Sequence, residues 1–328
     1  MEPVRWGVLG VSGHFLKRVL LPLQKSQMAE LYGIASRSRE KAEKTAKKYG
    51  IPNSFSSYEE LLKDENVEAV YIPLPNHLHA PWIKKAAEAG KHILCEKPLG
   101  LSAKEAKESI DYAENNHVLV MEAFMYRFHP QWQRALELVK AGEIGEVQAI
   151  YTFFSYKNVD PDNIRNILKA GGGALRDIGC YAISISRFLL EAEPRRVASL
   201  IHRDPDFRTD SLTSGILDFG RVRSLFTVST QTFSYQRVDI HGSGGCITIH
   251  IPFNPFPDVT ARMTVTTDVG TRELWLSPVD QYALEFEAFS KSVLNKEPVP
   301  IPPVDAVNNQ KVIDALFRSE KTENWEKV

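Results

Sequence analysis

Short apolar runs alternate with amphipathic stretches through the first ~125 residues, the pattern of repeated strand–helix units. Val4-Arg5-Trp6-Gly7-Val8-Leu9 predicts a buried strand ending at Gly10, and Phe15 to Leu23 a helix. Leu31 to Ala35 reads as a second strand and Arg39 to Tyr49 as a second helix, closed by Gly50. Further strands are predicted at Ala69 to Ile72, His92 to Cys95 and Val118 to Glu122, with a helix from Leu78 to Ala89 stopped by Gly90. Ser57-Tyr58-Glu59-Glu60 and Ser102-Ala103-Lys104-Glu105 are capping boxes: each serine can bond the amide three residues on, and each glutamate can reach back. Repeated units of this kind imply parallel strands with helices on both faces, a doubly wound Rossmann α/β sheet.

The period changes after a helix at Pro130 to Lys140. Val147 to Tyr156, Val197 to His202, Leu212 to Asp218, Ser224 to Thr232, Val238 to Ile251, Arg262 to Thr267 and Arg272 to Leu276 are strand-like, with turn residues such as Gly242-Ser243-Gly244-Gly245 among them. Strands without intervening helices predict a large, open, mostly antiparallel sheet. Helices are expected at Ile178 to Leu190, Tyr282 to Leu294 and Val304 to Phe317. The expected domains are 1–123, nucleotide-binding, and 124–328, an α/β substrate and oligomerisation domain, with the last helix a candidate to pack back on the first. The broad outer face of the open sheet needs covering, so a homodimer or higher homo-oligomer through it is expected.

Composition narrows the class. The 328 residues carry 40 basic and 41 acidic side chains, a formal charge of −1, and 43% are hydrophobic. Near-neutral charge argues against general nucleic-acid binding, which needs a clustered basic surface. No apolar run reaches a membrane span. Met1-Glu2-Pro3 leads straight into strand-like sequence, so no signal peptide is expected. Cys95, Cys180 and Cys246 form no Cys-x-x-Cys pair, which fits a reducing cytoplasm.

In doubly wound sheets, ligands bind at the carboxyl ends of the strands. After the first strand comes Gly10-Val11-Ser12-Gly13-His14-Phe15. A dinucleotide fingerprint there reads Gly-x-Gly-x-x-Gly, whose glycines allow a tight turn and close approach to pyrophosphate at a helix N-terminus. Only Gly10 is in register; Ser12 and Phe15 replace the later glycines, and Gly13 is displaced. After the second strand, Ser36-Arg37-Ser38 has no acidic residue for ribose hydroxyls. Two hydroxyls and a guanidinium suit the 2′-phosphate of NADP, so NADP is expected ahead of NAD. The plainer alternative is that Ser38 caps the next helix and Arg37 is solvated. By the same positional rule Pro73, Leu74, Asn76, His77 and Glu96 are cofactor candidates. His77-x-His79 lacks a third ligand at metal-site spacing, and no metal is expected.

Three further motifs follow in order: Glu96-Lys97-Pro98 after a strand, Glu122-Ala123-Phe124-Met125-Tyr126-Arg127-Phe128-His129-Pro130, and Gly171-Gly172-Gly173-Ala174-Leu175-Arg176-Asp177-Ile178-Gly179-Cys180-Tyr181 leading into a helix. With the glycine turn, these resemble the Gfo/Idh/MocA oxidoreductase family over nearly the whole chain. Ala35-Ser36-Arg37-Ser38 and the two later motifs resemble its branch of dimeric dihydrodiol dehydrogenases and NADP-dependent D-xylose dehydrogenases. Tyr181 stands where many relatives have histidine.

The resemblance implies an NADP-dependent oxidoreductase acting at a CH–OH/C=O centre of a sugar, polyol or dihydrodiol, its site between the domains. It implies Lys97 and Tyr181 as the proton-handling pair and a cis bond at Lys97-Pro98. The chemistry is consistent: tyrosine, with a pKa of about 10, is a poor base unless an ammonium favours phenolate, and that ammonium also stabilises a developing alkoxide. Asp177, four residues before Tyr181, is expected on the same helix face, reaching substrate hydroxyls or orienting Lys97. Arg165 is either a substrate ligand or a salt-bridge partner; Tyr126 and Phe128 are expected to line the substrate site, and Arg127 to touch the cofactor. A reductase of keto- or anhydro-sugars and a non-catalytic NADP-binding regulator are the alternatives.

Overall fold

The computed structural model describes residues 2–328. In chain order the first elements are β1 (Val4–Leu9), α1 (Leu20–Lys25), β2 (Ala29–Ala35), α2 (Arg39–Tyr49), β3 (Asn53–Phe55), α3 (Tyr58–Lys63), β4 (Ala69–Ile72), α4 (His79–Glu88), β5 (His92–Glu96), α5 (Ala103–Asn115) and β6 (Val120–Ala123). Then come α6 (Pro130–Lys140), β7 (Val147–Lys157), α7 (Cys180–Leu190), β8 (Arg196–Arg203), β9 (Asp210–Asp218), β10 (Arg223–Ser229), β11 (Gln231–Gly242), β12 (Gly245–Ile249), β13 (Ala261–Thr267) and β14 (Gly270–Leu276). The chain ends with α8 (Gln281–Asn295), α9 (Pro303–Thr322) and β15 (Glu326–Lys327). Among the described residues no helix is long and apolar enough to cross a membrane.

Local chemistry sets the helix ends. Ser38, Ser57 and Ser102 each accept the amide three residues on, and Gly50 stops α2 at φ +65°. The reciprocal glutamate contacts fall one residue earlier than a standard capping box. Glu60 accepts from the amide of Ser56 at 2.8 Å, and Glu105 from that of Leu101 at 2.5 Å.

The chain forms two compact units, 1–125 with 281–307 and 126–280 with 308–328. The expected division at 123 therefore omits a return of the chain to the first unit. The reason is the apolar face of α8. Trp6 of β1 packs edge-on against Phe286 at 4.7 Å and against Phe289 at 5.3 Å, and its indole N–H donates to Ser290 at 3.1 Å. Such aromatic burial is worth several kcal/mol, about 2 to 3 per ring.

The first unit holds a six-stranded parallel sheet in the order β3-β2-β1-β4-β5-β6. Strand β3 is three residues, Asn53-Ser54-Phe55, without an apolar alternation to announce it. The second unit holds a nine-stranded sheet, β14-β13-β12-β11-β7-β10-β9-β8-β15, antiparallel except where β10 runs parallel to β7. Gly242-Ser243-Gly244-Gly245 breaks the predicted strand Val238 to Ile251 into the hairpin β11–β12. Along β7 the buried residues Ile150, Thr152 and Phe154 alternate with the outward-facing Tyr151 and Phe153.

Candidate active site

In the first unit the candidate groups cluster at the carboxyl ends of β1, β2, β4 and β5. Gly10 has φ +115°, and a Cβ there would meet Leu74 at 2.9 Å, so the turn after β1 accepts only glycine. At Gly13 a Cβ would meet nothing within 4 Å. The Ser12 hydroxyl accepts the Phe15 amide at 3.0 Å, doing locally what a cap does. Phe15, in place of the third glycine, is fully buried against Tyr71, and the backbone over Phe15–Val19 is wound as a π-helix before α1 begins. The predicted helix from Phe15 is present, its first turn π-wound and running directly into α1.

At the end of β2, Ser36 is buried and its hydroxyl accepts the Ser38 amide, while the Ser38 hydroxyl accepts that of Lys41. Ser38 therefore does cap α2. Arg37 is exposed, and its guanidinium interacts with the Tyr58 hydroxyl. Burial raises the Tyr58 pKa and Arg37 pulls it back. A Cβ on Gly10 would lie 3.5 Å from that same hydroxyl, so Tyr58 joins the turn to the end of β2. Sequence reasoning placed Tyr58 only in a capping box.

Lys97 sits on a loop held by hydrogen bonds on both sides. The Lys97-Pro98 peptide is cis. Before it, Glu96 accepts from the Tyr71 hydroxyl at 2.5 Å and faces His14 Nε2 at 3.3 Å. After it, the Pro98 carbonyl oxygen lies 2.8 Å from His79 Nδ1, the Leu99 amide donates to Glu122 at 2.8 Å, and the Leu101 amide donates to Glu105. His79 Nε2 also lies 2.8 Å from the Leu74 carbonyl oxygen, so one buried ring ties the loop after β4 to the loop after β5. His79 opens α4, and from there its ring reaches both carbonyls. Pro73 and Leu74 are buried, Asn76 is half-buried and His77 exposed.

Glu96 and its neighbours are electrostatically asymmetric. Burial alone would raise the Glu96 pKa, but His14, Lys97 and the Tyr71 hydroxyl together lower it to about 2. Glu285 on α8 is pushed well above the carboxylate range, first by burial and then by the negative charge of Glu96. The Cys95 thiol is raised well above its usual value by burial and by Glu96 and Glu122, which leaves it unreactive.

In the second unit the glycine-rich segment builds a different cluster. A Cβ on Gly172 would meet the Arg165 carbonyl oxygen at 2.4 Å, and Gly173, at φ +118°, abuts Asp210. Asp210 accepts the Leu175 amide at 2.6 Å, and burial raises its pKa to about 6 despite that bond. The chain then winds as a π-helix over Leu175–Gly179 and passes into α7 at Cys180. Asp177 lies in the π-wound turn that runs directly into the helix of Tyr181. Its Oδ2 accepts from Tyr156 at 2.5 Å and from Arg165 Nε at 3.0 Å. Arg165 forms a salt bridge with Asp177.

Tyr181 is buried among Phe253 at 5.1 Å, Tyr126 at 5.9 Å and Phe154 at 5.9 Å between ring centroids. Tyr126, expected to line the substrate site, is itself fully buried and shares a 2.6 Å hydrogen bond with Ser184. Its ring packs against that of Tyr181 and its hydroxyl is matched inside the core. The Arg127 guanidinium, expected at the cofactor, stacks 4.2 Å from the ring of Phe188. Phe128 is half-buried. Tyr156, Phe154 and Phe253 were missed; their aromatic character is common in strands and marks no site by itself.

Comparison with known proteins decides the family. A model described as the oxidoreductase family with an NAD-binding Rossmann fold matches residues 4–124, and one described as the GFO/IDH/MocA C-terminal domain matches 132–248. The chain belongs to the Gfo/Idh/MocA oxidoreductase family. Among its Gfo/Idh/MocA relatives, D-xylose 1-dehydrogenase (NADP(+)) 2 of Haloferax volcanii is 40% identical over 97% of both chains. Mouse trans-1,2-dihydrobenzene-1,2-diol dehydrogenase is 31% identical over 74% of this chain and 73% of that one. Among solved structures, a 3-ketoreductase from Actinomadura kijaniata in complex with NADP and TDP-benzene superposes with a TM-score of 0.92 at 29% identity, over 97% of this chain and 98% of that one. The motif-based resemblance is thus correct at the level of family and fold.

Proposed function

We propose that this Gfo/Idh/MocA protein transfers a hydride between NADP and a CH–OH/C=O centre of a sugar, polyol or dihydrodiol, with Lys97 and Tyr181 handling the proton. The observation that carries the reading is the clamped loop around Lys97: Tyr71, His79, Glu122 and Glu105 fix the groups on either side of one ammonium. Preorganisation of this kind is what electrostatic stabilisation of a developing oxyanion needs.

The residues at the strand ends fit NADP. The glycine-only turn at Gly10 and the open space at Gly13 leave room for pyrophosphate. Ser36, Arg37 and Ser38 supply donors and positive charge at β2, where a carboxylate would repel a 2′-phosphate. When bound, NADP supplies the hydride acceptor or donor. In the oxidising direction the carbinol carbon gives up hydride and its hydroxyl proton passes to Tyr181. The Lys97 ammonium favours phenolate before transfer and stabilises alkoxide during it. Asp177 accepts from a substrate hydroxyl and so orients the carbinol. Reversal of these steps reduces a ketone, and the structural likeness to a 3-ketoreductase favours that direction as a second reading.

Spectrophotometric screening of aldoses, polyols and dihydrodiols with NADP⁺ tests the proposal. NADP⁺ reduction with a member of the panel supports it. NADP binding without turnover across the panel, in either direction, leaves the regulator and removes the enzyme.

A second copy of this chain is the proposed partner of the outer face of the nine-stranded sheet. That face carries a groove of about 650 Å³ bordered by Tyr151, Phe153, Leu200, Leu225 and Tyr235, with Leu200 80% exposed. Three free cysteines support a cytoplasmic setting.

A further inference from the structure

Tyr156, Arg165 and Asp177 come from three separate segments of the second unit: β7, a 3₁₀ turn at Ile164–Asn166, and the π-wound stretch before α7. Both donors converge on a single oxygen, Asp177 Oδ2. That convergence fixes the carboxylate about its χ angles, because neither oxygen can exchange places without breaking a charge-assisted bond. The Tyr156 hydroxyl is a donor at any working pH. Burial raises its pKa first, and the neighbouring carboxylate raises it further.

The surrounding backbone is built to keep the three together. Glycine at 172 is what lets the Arg165 backbone approach within contact, and the Arg165 carbonyl oxygen accepts the Gly173 amide at 2.9 Å. The Arg165 turn, the glycine segment and Asp177 are therefore tied in sequence, since the Asp177 amide in turn donates to the Gly173 carbonyl oxygen at 3.1 Å. The Asp177 side chain is only 13% exposed, so its orientation is set by these partners and not by bulk water.

We propose that Tyr156 and Arg165 are positioning residues that set substrate specificity, holding Asp177 in the one orientation that accepts a particular hydroxyl near the reacting carbon. The inference rests on the reading of Asp177 as a substrate ligand. It assigns Arg165 an indirect role and gives Tyr156 a function that its place in a strand does not announce.

The test uses the full-length protein, an aldose that it oxidises with NADP⁺, and the monodeoxy counterparts of that aldose, one hydroxyl removed at a time. Wild type should lose at least about a hundredfold in kcat/KM at one hydroxyl position, as sites built to bond a hydroxyl do. Tyr156→Phe should lower kcat/KM for the parent aldose about tenfold, through KM, while the counterpart lacking that hydroxyl changes less than about twofold. NADP⁺ binding, read by fluorescence titration, should not move. Arg165→Gln should flatten the same position, and Arg165→Lys should recover part of the discrimination; these variants carry the test if Tyr156→Phe does not fold. Equal losses on every substrate would overturn the inference, since that is what a purely structural role gives. Discrimination surviving in Asp177→Ala, which deletes the acceptor, removes the underlying reading. Discrimination lost in Asp177→Ala but kept in Tyr156→Phe and Arg165→Gln removes this inference alone.

Discussion

Glu96 and Glu285 are the same functional group in opposite states, separated by their partners. Glu96 has His14, Lys97 and the Tyr71 hydroxyl, and titrates at about 2. Glu285 has burial and the repulsion of Glu96, and holds its proton. The two carry opposite pH signatures. A depressed carboxyl pKa stabilises the fold above the unfolded value and loses that contribution as pH falls through the folded value. Glu96→Gln should therefore cost about 3 kcal/mol near neutrality, a difference that fades between about pH 4.5 and pH 2. A raised pKa does the reverse: its contribution is present at acid pH and lost as pH rises. Glu285→Gln should be more stable relative to wild type at about pH 9 than at about pH 4. Denaturant midpoints across this range check both signs. At the cofactor, Arg37→Asp should weaken NADPH binding far more than NADH binding, measured by titration of each; an equal loss would remove Arg37 from the 2′-phosphate.

Among the elements, the two π-wound turns were the least legible. Caps and stops were readable because each depends on a few adjacent residues: Ser38 and Gly50 bound α2 where the sequence places them. The order of strand and helix in the first unit was readable for the same reason, as was the location of the Lys97 loop between a strand and a capped helix. The windings at Phe15–Val19 and Leu175–Gly179 each begin at a residue in contact with a distant neighbour, Tyr71 in one case and Asp210 in the other. No periodicity encodes that. The pairing of Asp177 with Tyr156 and Arg165 likewise joins residues that are 21 and 12 positions away in the chain. Gly173 shows what such long-range fit demands. An added Cβ would fall 1.8 Å from Asp210 Oδ1, at a φ that side chains rarely adopt. Gly173→Ala should destabilise by about 3 kcal/mol and lower turnover with it, seen in thermal melts and steady-state rates.

For the molecule as a whole, the return of α8 to the first unit was hidden because its apolar face is equally consistent with packing in either domain. Only Trp6, Phe286 and Phe289 meeting in space decide it. The nine-stranded sheet leaves Leu200 and Phe233 about four-fifths exposed, and the proposed second copy covers that face. Leu200→Glu should shift the mass measured by light scattering from an oligomer towards a monomer; an unchanged mass would place the interface elsewhere. The central claim concerns Lys97, and one pair of measurements on Lys97→Met tests it most directly: steady-state turnover and NADP⁺ binding on the same preparation. Turnover should fall by about three orders of magnitude with NADP⁺ affinity kept; near-normal turnover with affinity kept would contradict the role of Lys97.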